Sequence, residues 1–289
     1  MLYRAEEKIH RDISVCIPSI YEDQTVLIQC LTAILMGTEL PGYIHINLNQ
    51  NQTKFDNFYL TRILEIARYN RIHVQIHVTQ KESVQAARQF LTDVCTTPYM
   101  WFVDDDILLE HNNLEWLVRT RNAIFEAGEA TLDNFAYING VHPDLVNDRG
   151  YTDYDASEKD YATDPVKWLF WFYKHPGYPV WGRCRFPGCG NNLIYLPNLR
   201  KSGWKWYTDA YNRSGGEDCL FGLHMYSNGY KGFMTPCAQS LHLGKPHKSN
   251  FSNQDAILSA FISESEKRGY KIQEFKDCVK HKYENIRKV

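Results

Sequence analysis

Tyr99-Met100-Trp101-Phe102-Val103-Asp104-Asp105-Asp106 is the stretch on which the reading of this chain turns. Its first five residues are all apolar or aromatic and read as a strand buried on both faces. Three carboxylates follow at once. Adjacent aspartates repel one another unless a cation neutralises them, and hard oxygen ligands suit Mg²⁺ or Mn²⁺, with substrate phosphates filling the positions the protein leaves open. The other reading is an acidic cap on a following helix, where Asp is favoured. One aspartate is an everyday cap; three behind so apolar a strand weigh towards a metal.

Working outward, Ile13–Ile17 is a short β-branched run ended by Pro18-Ser19, and Thr25–Met36 has helical spacing with Gly37 as a stop. Tyr43–Leu48 alternates as a second strand, Phe58–Tyr69 reads as a helix, Ile72–Val78 as a third strand and Ser83–Val94 as a helix again. Repeated strand–helix alternation implies an α/β fold with a mostly parallel sheet and helices on both faces. Ligands on such sheets collect at the carboxyl ends of the strands, which is where the three aspartates fall. After about Asn113 the rhythm breaks. Residues 142–190 are crowded with Gly, Pro, Asp and aromatics, and only Asp218–Asn228 and Ile257–Arg268 read as later helices. The expectation is one domain over 1–289: a nucleotide-binding half, 1–112, and an irregular half, 113–289, that builds the second substrate's site.

The 289 residues, 44% of them hydrophobic and 23% charged, are ordinary for a globular protein. A formal net charge of −2 does not advertise a polyanion-binding protein. The segment from Lys267 onward holds eight Lys or Arg against three Asp or Glu; it reads as a solvated amphipathic helix or as a surface for a phosphate-rich partner. The charged start, Met1–Lys8, lacks the apolar core of a signal peptide, and no run approaches the roughly 18 apolar residues of a membrane helix. The eight cysteines include no CxxC pair with zinc-site spacing, so buried free thiols in a reducing compartment are expected. A cytoplasmic protein without an integral membrane segment follows from these readings.

Val103-Asp104-Asp105-Asp106-Ile107 resembles the DxD motif of GT-A glycosyltransferases, most closely the large inverting family 2, and the resemblance runs from Ser14 to about His247. It implies a Rossmann-like GT-A fold and transfer of a sugar from a nucleoside-diphosphate donor, with uridine diphosphate sugars favoured. It implies that Asp104 and Asp106 meet metal and donor, with Asp105 between them on the donor side. Val15-Cys16-Ile17-Pro18-Ser19 is similar to the family's opening strand, whose loop holds the nucleobase, which makes Pro18, Ser19 and Glu22 donor-binding candidates. Tyr21 lies one residue later than in the usual motif, and Asn47 and Asn49 stand where an Asp is common. Asn49 is the candidate for the base, because an amide both donates and accepts. Ala87-Arg88-Gln89 resembles the family's Ala-Arg-Asn and puts Arg88 near donor phosphate or base.

Gly215-Gly216-Glu217-Asp218 resembles the Glu-Asp motif that carries the catalytic base of inverting members. An inverting transfer needs one carboxylate to take the acceptor's proton. By that match Asp218 is the base, and Glu217 orients the acceptor. Phe186–Asn192 resembles a glycine loop between donor and acceptor, with Gly188, Gly190 and Asn191 as acceptor-side candidates. In Ser240–His247, His242 is the first choice to complete the metal shell and His247 the second, and Lys245 is placed to meet the diphosphate. Of the tryptophans, Trp204 and Trp206 are read as shaping the acceptor site by stacking. The acceptor is a glycan or a hydroxylated base in DNA. A nucleotidyl- or phosphoryl-transfer enzyme is the competing class, but no glycine-rich phosphate loop follows the first strand. A non-catalytic carbohydrate- or nucleic-acid-binding protein explains the aromatics but not why metal-type carboxylates and a candidate base coexist.

Overall fold

The computed structural model describes residues 8–19, 24–49, 58–79, 83–141, 179, 181–184, 187, 190–206, 217–243 and 263–270. Their order is β1 (Lys8–Ser19), α1 (Gln24–Leu35), β2 (Glu39–Asn49), α2 (Phe58–Tyr69), β3 (His73–Thr79), α3 (Val84–Val94), β4 (Tyr99–Val103), β5 (Ile107–Leu109), α4 (Asn113–Glu126), β6 (Phe135–Val141), β7 (Gly182–Arg183), β8 (Asn191–Tyr195), α5 (Leu196–Lys201), α6 (Glu217–Ser227) and β9 (Lys231–His242).

The strands form one nine-stranded sheet in the order β3-β2-β1-β4-β8-β6-β9-β5, with β7 pairing β9. β1 pairs in parallel with β2 and β4, and β2 with β3. β8 runs against both β4 and β6, and β6 and β9 are parallel. β1, β2, β3, β4, β6 and β9 therefore share one direction, the mostly parallel arrangement expected. Strand β4 shows why: all five residues are buried. Tyr99, Trp101 and Val103 enter one core with Leu27 and Leu31 of α1 and Leu114 and Leu117 of α4. Met100 and Phe102 enter a second core with Leu91 of α3, Leu199 of α5 and Phe221 of α6. A strand with helices on both faces must be apolar on both.

The second half is more regular than its sequence suggests. Helix α4 and strands β6 and β9 fall where no rhythm was legible. Asn139-Gly140 reads as a turn signal yet lies inside β6, every residue of which is buried. Gly140 is required by close packing: a Cβ there would lie 2.1 Å from Asn191 Nδ2 and 2.5 Å from the Ala238 carbonyl. β9 crosses the sheet and ends in an antiparallel pairing with β5, which sets His242 opposite Ile107, one residue beyond Asp106.

The carboxyl ends of β1 and β2 are unusually polar for buried strands. Asn47 is fully buried and accepts from Thr79 Oγ1 at 3.3 Å. His45, one step behind it on the same face, is buried, with neither ring nitrogen hydrogen-bonded, and it stacks on His77 at 5.8 Å. Burial, and then the neighbouring His77, push the His45 imidazolium down to about 4 from the ordinary 6.5. A histidine whose folded pKa is depressed contributes stability that is complete above 6.5 and lost as pH falls towards 4. Urea unfolding at pH 7 and pH 5 is expected to show His45→Gln losing roughly 1–2 kcal/mol less than wild type between the two. Equal losses in the two proteins contradict this account of His45.

Candidate active site

Helix α3 begins at Ser83, whose hydroxyl accepts from the Ala86 amide at 3.2 Å, and it buries Gln85, Arg88, Leu91 and Thr92 at helical spacing along one face. That face brings Arg88 under the end of β4. Arg88 is 4% exposed. Its Nη2 donates to Asp104 at 3.1 Å, and its Nη1 donates to Glu217 at 2.7 Å and to Asp218 at 3.1 Å. Below, it faces the rings of Phe102 and Trp206, at 5.3 and 5.8 Å. One cation thus joins the end of β4 to the first turn of α6.

The three aspartates diverge. Asp104 turns to Arg88, and its amide donates to the Gly190 carbonyl at 3.3 Å. Asp105 accepts a short hydrogen bond from the Ser19 hydroxyl, which ties the end of β4 to the end of β1. Burial, with Asp106 and Asp104 adding to it, raises the Asp105 carboxyl to about 7 against the opposing hydrogen bond from Ser19. Asp106 lies 3.4 Å from His242 Nε2, each side chain about three-tenths exposed. The Leu243 amide donates to the Asp106 carbonyl at 2.7 Å and fixes the two strands' ends together.

Asp106 and His242 offer one oxygen and one nitrogen donor, chemistry that suits Mn²⁺ or Mg²⁺. Among the described residues no group of three or more His, Cys, Asp or Glu is gathered closely enough to hold an ion. The pair fits a metal whose other ligands come from a phosphate-bearing substrate and water, which is how Mg²⁺ is commonly held.

The structure thus brings together Ser19, Arg88, Asp104, Asp105, Asp106, Glu217, Asp218 and His242 along one edge of the sheet. Pro18 lies on β1 opposite Asn47, and Asn49 ends β2 opposite Thr79. Three candidates sit in surroundings that the sequence did not indicate. Asn191 is not open to an acceptor: it is fully buried, and its Oδ1 accepts from Trp101 Nε1 at 3.0 Å. Trp204 and Trp206 do not present stacking faces, being 5% and 2% exposed. Trp206 is a shelf for Arg88, held by its indole N–H to Thr92 Oγ1 at 3.0 Å and its amide to Gln89 Oε1 at 2.9 Å. Arg88 is committed to carboxylates rather than left open as an anion receptor. Gly190 is buried beside Asp104. Glu22, Gly188, Lys245, His247, Gly215, Gly216 and the basic tail from 271 lie outside the described residues. Asn47 and Thr79 were not singled out as a pair, because only the register of β2 on β3 makes them neighbours.

No protein-family model matches the chain, and no curated protein matches it by sequence. Among solved structures it is similar to one described as GalNAc-T7 with UDP, GalNAc and Mn²⁺, with a TM-score of 0.56 at 14% identity. The likeness covers 81% of this chain and 44% of that one, so the chain matches less than half of the neighbour's length. The fold is similar to that of a GT-A glycosyltransferase. At this identity the likeness speaks for architecture. Among the described residues no helix is long and apolar enough to cross a membrane. Cys16, Cys30, Cys95, Cys184 and Cys237 are buried free thiols, as expected.

The Arg88 cluster yields a direct test. Removing one partner of a buried ion pair costs about 3–5 kcal/mol, because the other charge stays buried and unpaired. Arg88→Met is expected to lose that much stability in denaturant unfolding at pH 7, and Glu217→Gln added to it to recover part of the loss. A loss below about 1 kcal/mol contradicts the bracing role.

Proposed function

We propose that this chain is a metal-dependent glycosyltransferase that moves a sugar from a nucleoside-diphosphate donor to an acceptor hydroxyl with inversion. The observation that carries the reading is the convergence, at the carboxyl edge of a GT-A-like sheet, of Asp106 with His242 and of Asp104 with Glu217 and Asp218 through Arg88. The fold neighbour's UDP and Mn²⁺ favour a uridine donor and Mn²⁺ for this chain also, as does the resemblance of the DxD stretch.

In this reading Asp106 and His242 hold the metal, and Asn49, Ser19 and Asp105 border the nucleoside side. A bound divalent cation supplies charge stabilisation to the departing diphosphate. The acceptor oxygen forms a bond to the anomeric carbon as the bond from that carbon to the diphosphate oxygen breaks, its electron pair leaving with the diphosphate. The acceptor's proton passes to Asp218, at the N-terminus of α6, where Arg88 fixes the carboxylate through Oδ1. Glu217, buried beside it, is held by the same cation and keeps the first turn of α6 in place. The acceptor is a glycan or another hydroxylated molecule.

Loss of a general base typically lowers transfer by about 10²–10⁴. Asp218→Asn is expected to show that loss with affinity for the nucleotide and metal within a few-fold of wild type, and His242→Ala to weaken metal-dependent nucleotide binding itself. Undiminished transfer by Asp218→Asn in a folded protein removes Asp218 as the base.

A further inference from the structure

The described arginines are almost all engaged. Arg62, Arg119, Arg183 and Arg268 pair with glutamates, Arg121 approaches Asp12, and Arg200 donates to the Thr92 and Cys95 carbonyls. Arg68 and Arg71 are the exceptions: among the described arginines they alone make no side-chain hydrogen bond or ion pair. Both line the same cavity of about 520 Å³, with Arg11, Ile72, His73 and Val74, and no carboxylate is among the described residues that line it.

The cavity is built rather than incidental. Helix α2 ends with the Ile72 amide bonded back to the Ala67 carbonyl at 3.0 Å and the Arg71 amide to the Arg68 carbonyl at 2.9 Å. In such an ending the residue at the turn takes the left-handed conformation and is usually glycine. Here it is Arg71, with φ of 59°. Arg11 Nη1, on β1, donates to the Arg71 carbonyl at 2.7 Å and locks that turn. One wall is His73, stacked on Tyr43 with ring centroids 5.1 Å apart. The negative end of a helix dipole attracts a cation, but three arginines and a histidine around one hollow go well beyond that.

We propose that this cavity is a binding site for a diphosphate-bearing small molecule. Arginine favours phosphate because its planar fork matches two oxygens at once, and the volume falls within the roughly 300–1,000 Å³ of small-ligand sites. The site opens at the start of β3, about 20 Å along the strand from Thr79 and the carboxyl edge. It is therefore separate from the Arg88 cluster and does not rest on glycosyl transfer.

The test is calorimetric titration of the full chain with pyrophosphate and with UDP, in EDTA and at constant ionic strength, so that metal-dependent binding is silent. Pyrophosphate is expected to bind, and Arg68→Gln and Arg71→Gly each to weaken it about ten-fold. Asp104→Asn with Asp106→Asn is expected to leave it unchanged. Arg71→Gly also raises Tm, because glycine adopts this turn without strain, so its loss of affinity is not a loss of fold. Tighter binding of UDP than of pyrophosphate assigns the site to a nucleoside diphosphate; equal binding assigns it to the diphosphate alone. No heat with either probe, affinity unaltered in Arg68→Gln and Arg71→Gly, or affinity lost in the aspartate variant overturns the proposal.

Discussion

A single guanidinium organises the acidic edge of the sheet. Arg88 is held over the Phe102 and Trp206 rings and spends its donors on Asp104 and on Glu217 and Asp218, the last 130 residues away in sequence. Burying a charge is costly unless it is paired and hydrogen-bonded, so once Arg88 is under the sheet edge the carboxylates must come to it. That requirement fixes where α6 begins relative to β4, and with it the spacing between Asp104 at the end of β4 and Glu217 and Asp218 on α6. Three carboxylates against one guanidinium leave two negative charges in excess, before Asp105 and Asp106 are considered. The cluster is held together and still anionic, which is the condition under which a divalent cation binds.

The first half of the fold was open to sequence reading because parallel strands covered on both faces are written as apolar runs, and the helices between them keep their period. The second half was not, for local reasons. β6 contains Asn139-Gly140, a turn signal overridden by the approach of Asn191. β9 contains Pro236, which cannot donate to a ladder; it falls in the irregularity where the β6 register shifts between Asn139 and Val141, so the strand continues past it. Neither device has a signature that separates it from a loop.

For the site, the order of the carboxylate clusters was legible and their partners were not. The stretch Asp104–Asp106 announces charge at a strand end. It does not say that the three side chains go to Arg88, Ser19 and His242. Those assignments depend on α3, β1 and β9, brought near by the sheet order. The burial of Asn191, Trp204 and Trp206 was hidden for the same reason: an amide or indole near a glycine-rich or acidic motif reads as ligand-facing. Burial against Trp101 and Arg88 is a property of the folded chain. The two free arginines of the α2 ending were equally silent, because only the fold shows which cations lack a carboxylate.

The central claim is that the Asp104–Asp106 edge binds a nucleotide-sugar together with a metal. Thermal unfolding with a panel of nucleotide-sugars, in Mn²⁺, Mg²⁺ or EDTA, tests it most directly, since a ligand that binds only the folded state raises Tm by mass action. The account predicts a rise with one nucleotide class, present with metal, abolished by EDTA and absent in Asp106→Asn. A Tm that no nucleotide-sugar moves with either metal would contradict it and leave the acidic stretch as a structural feature of the strand end.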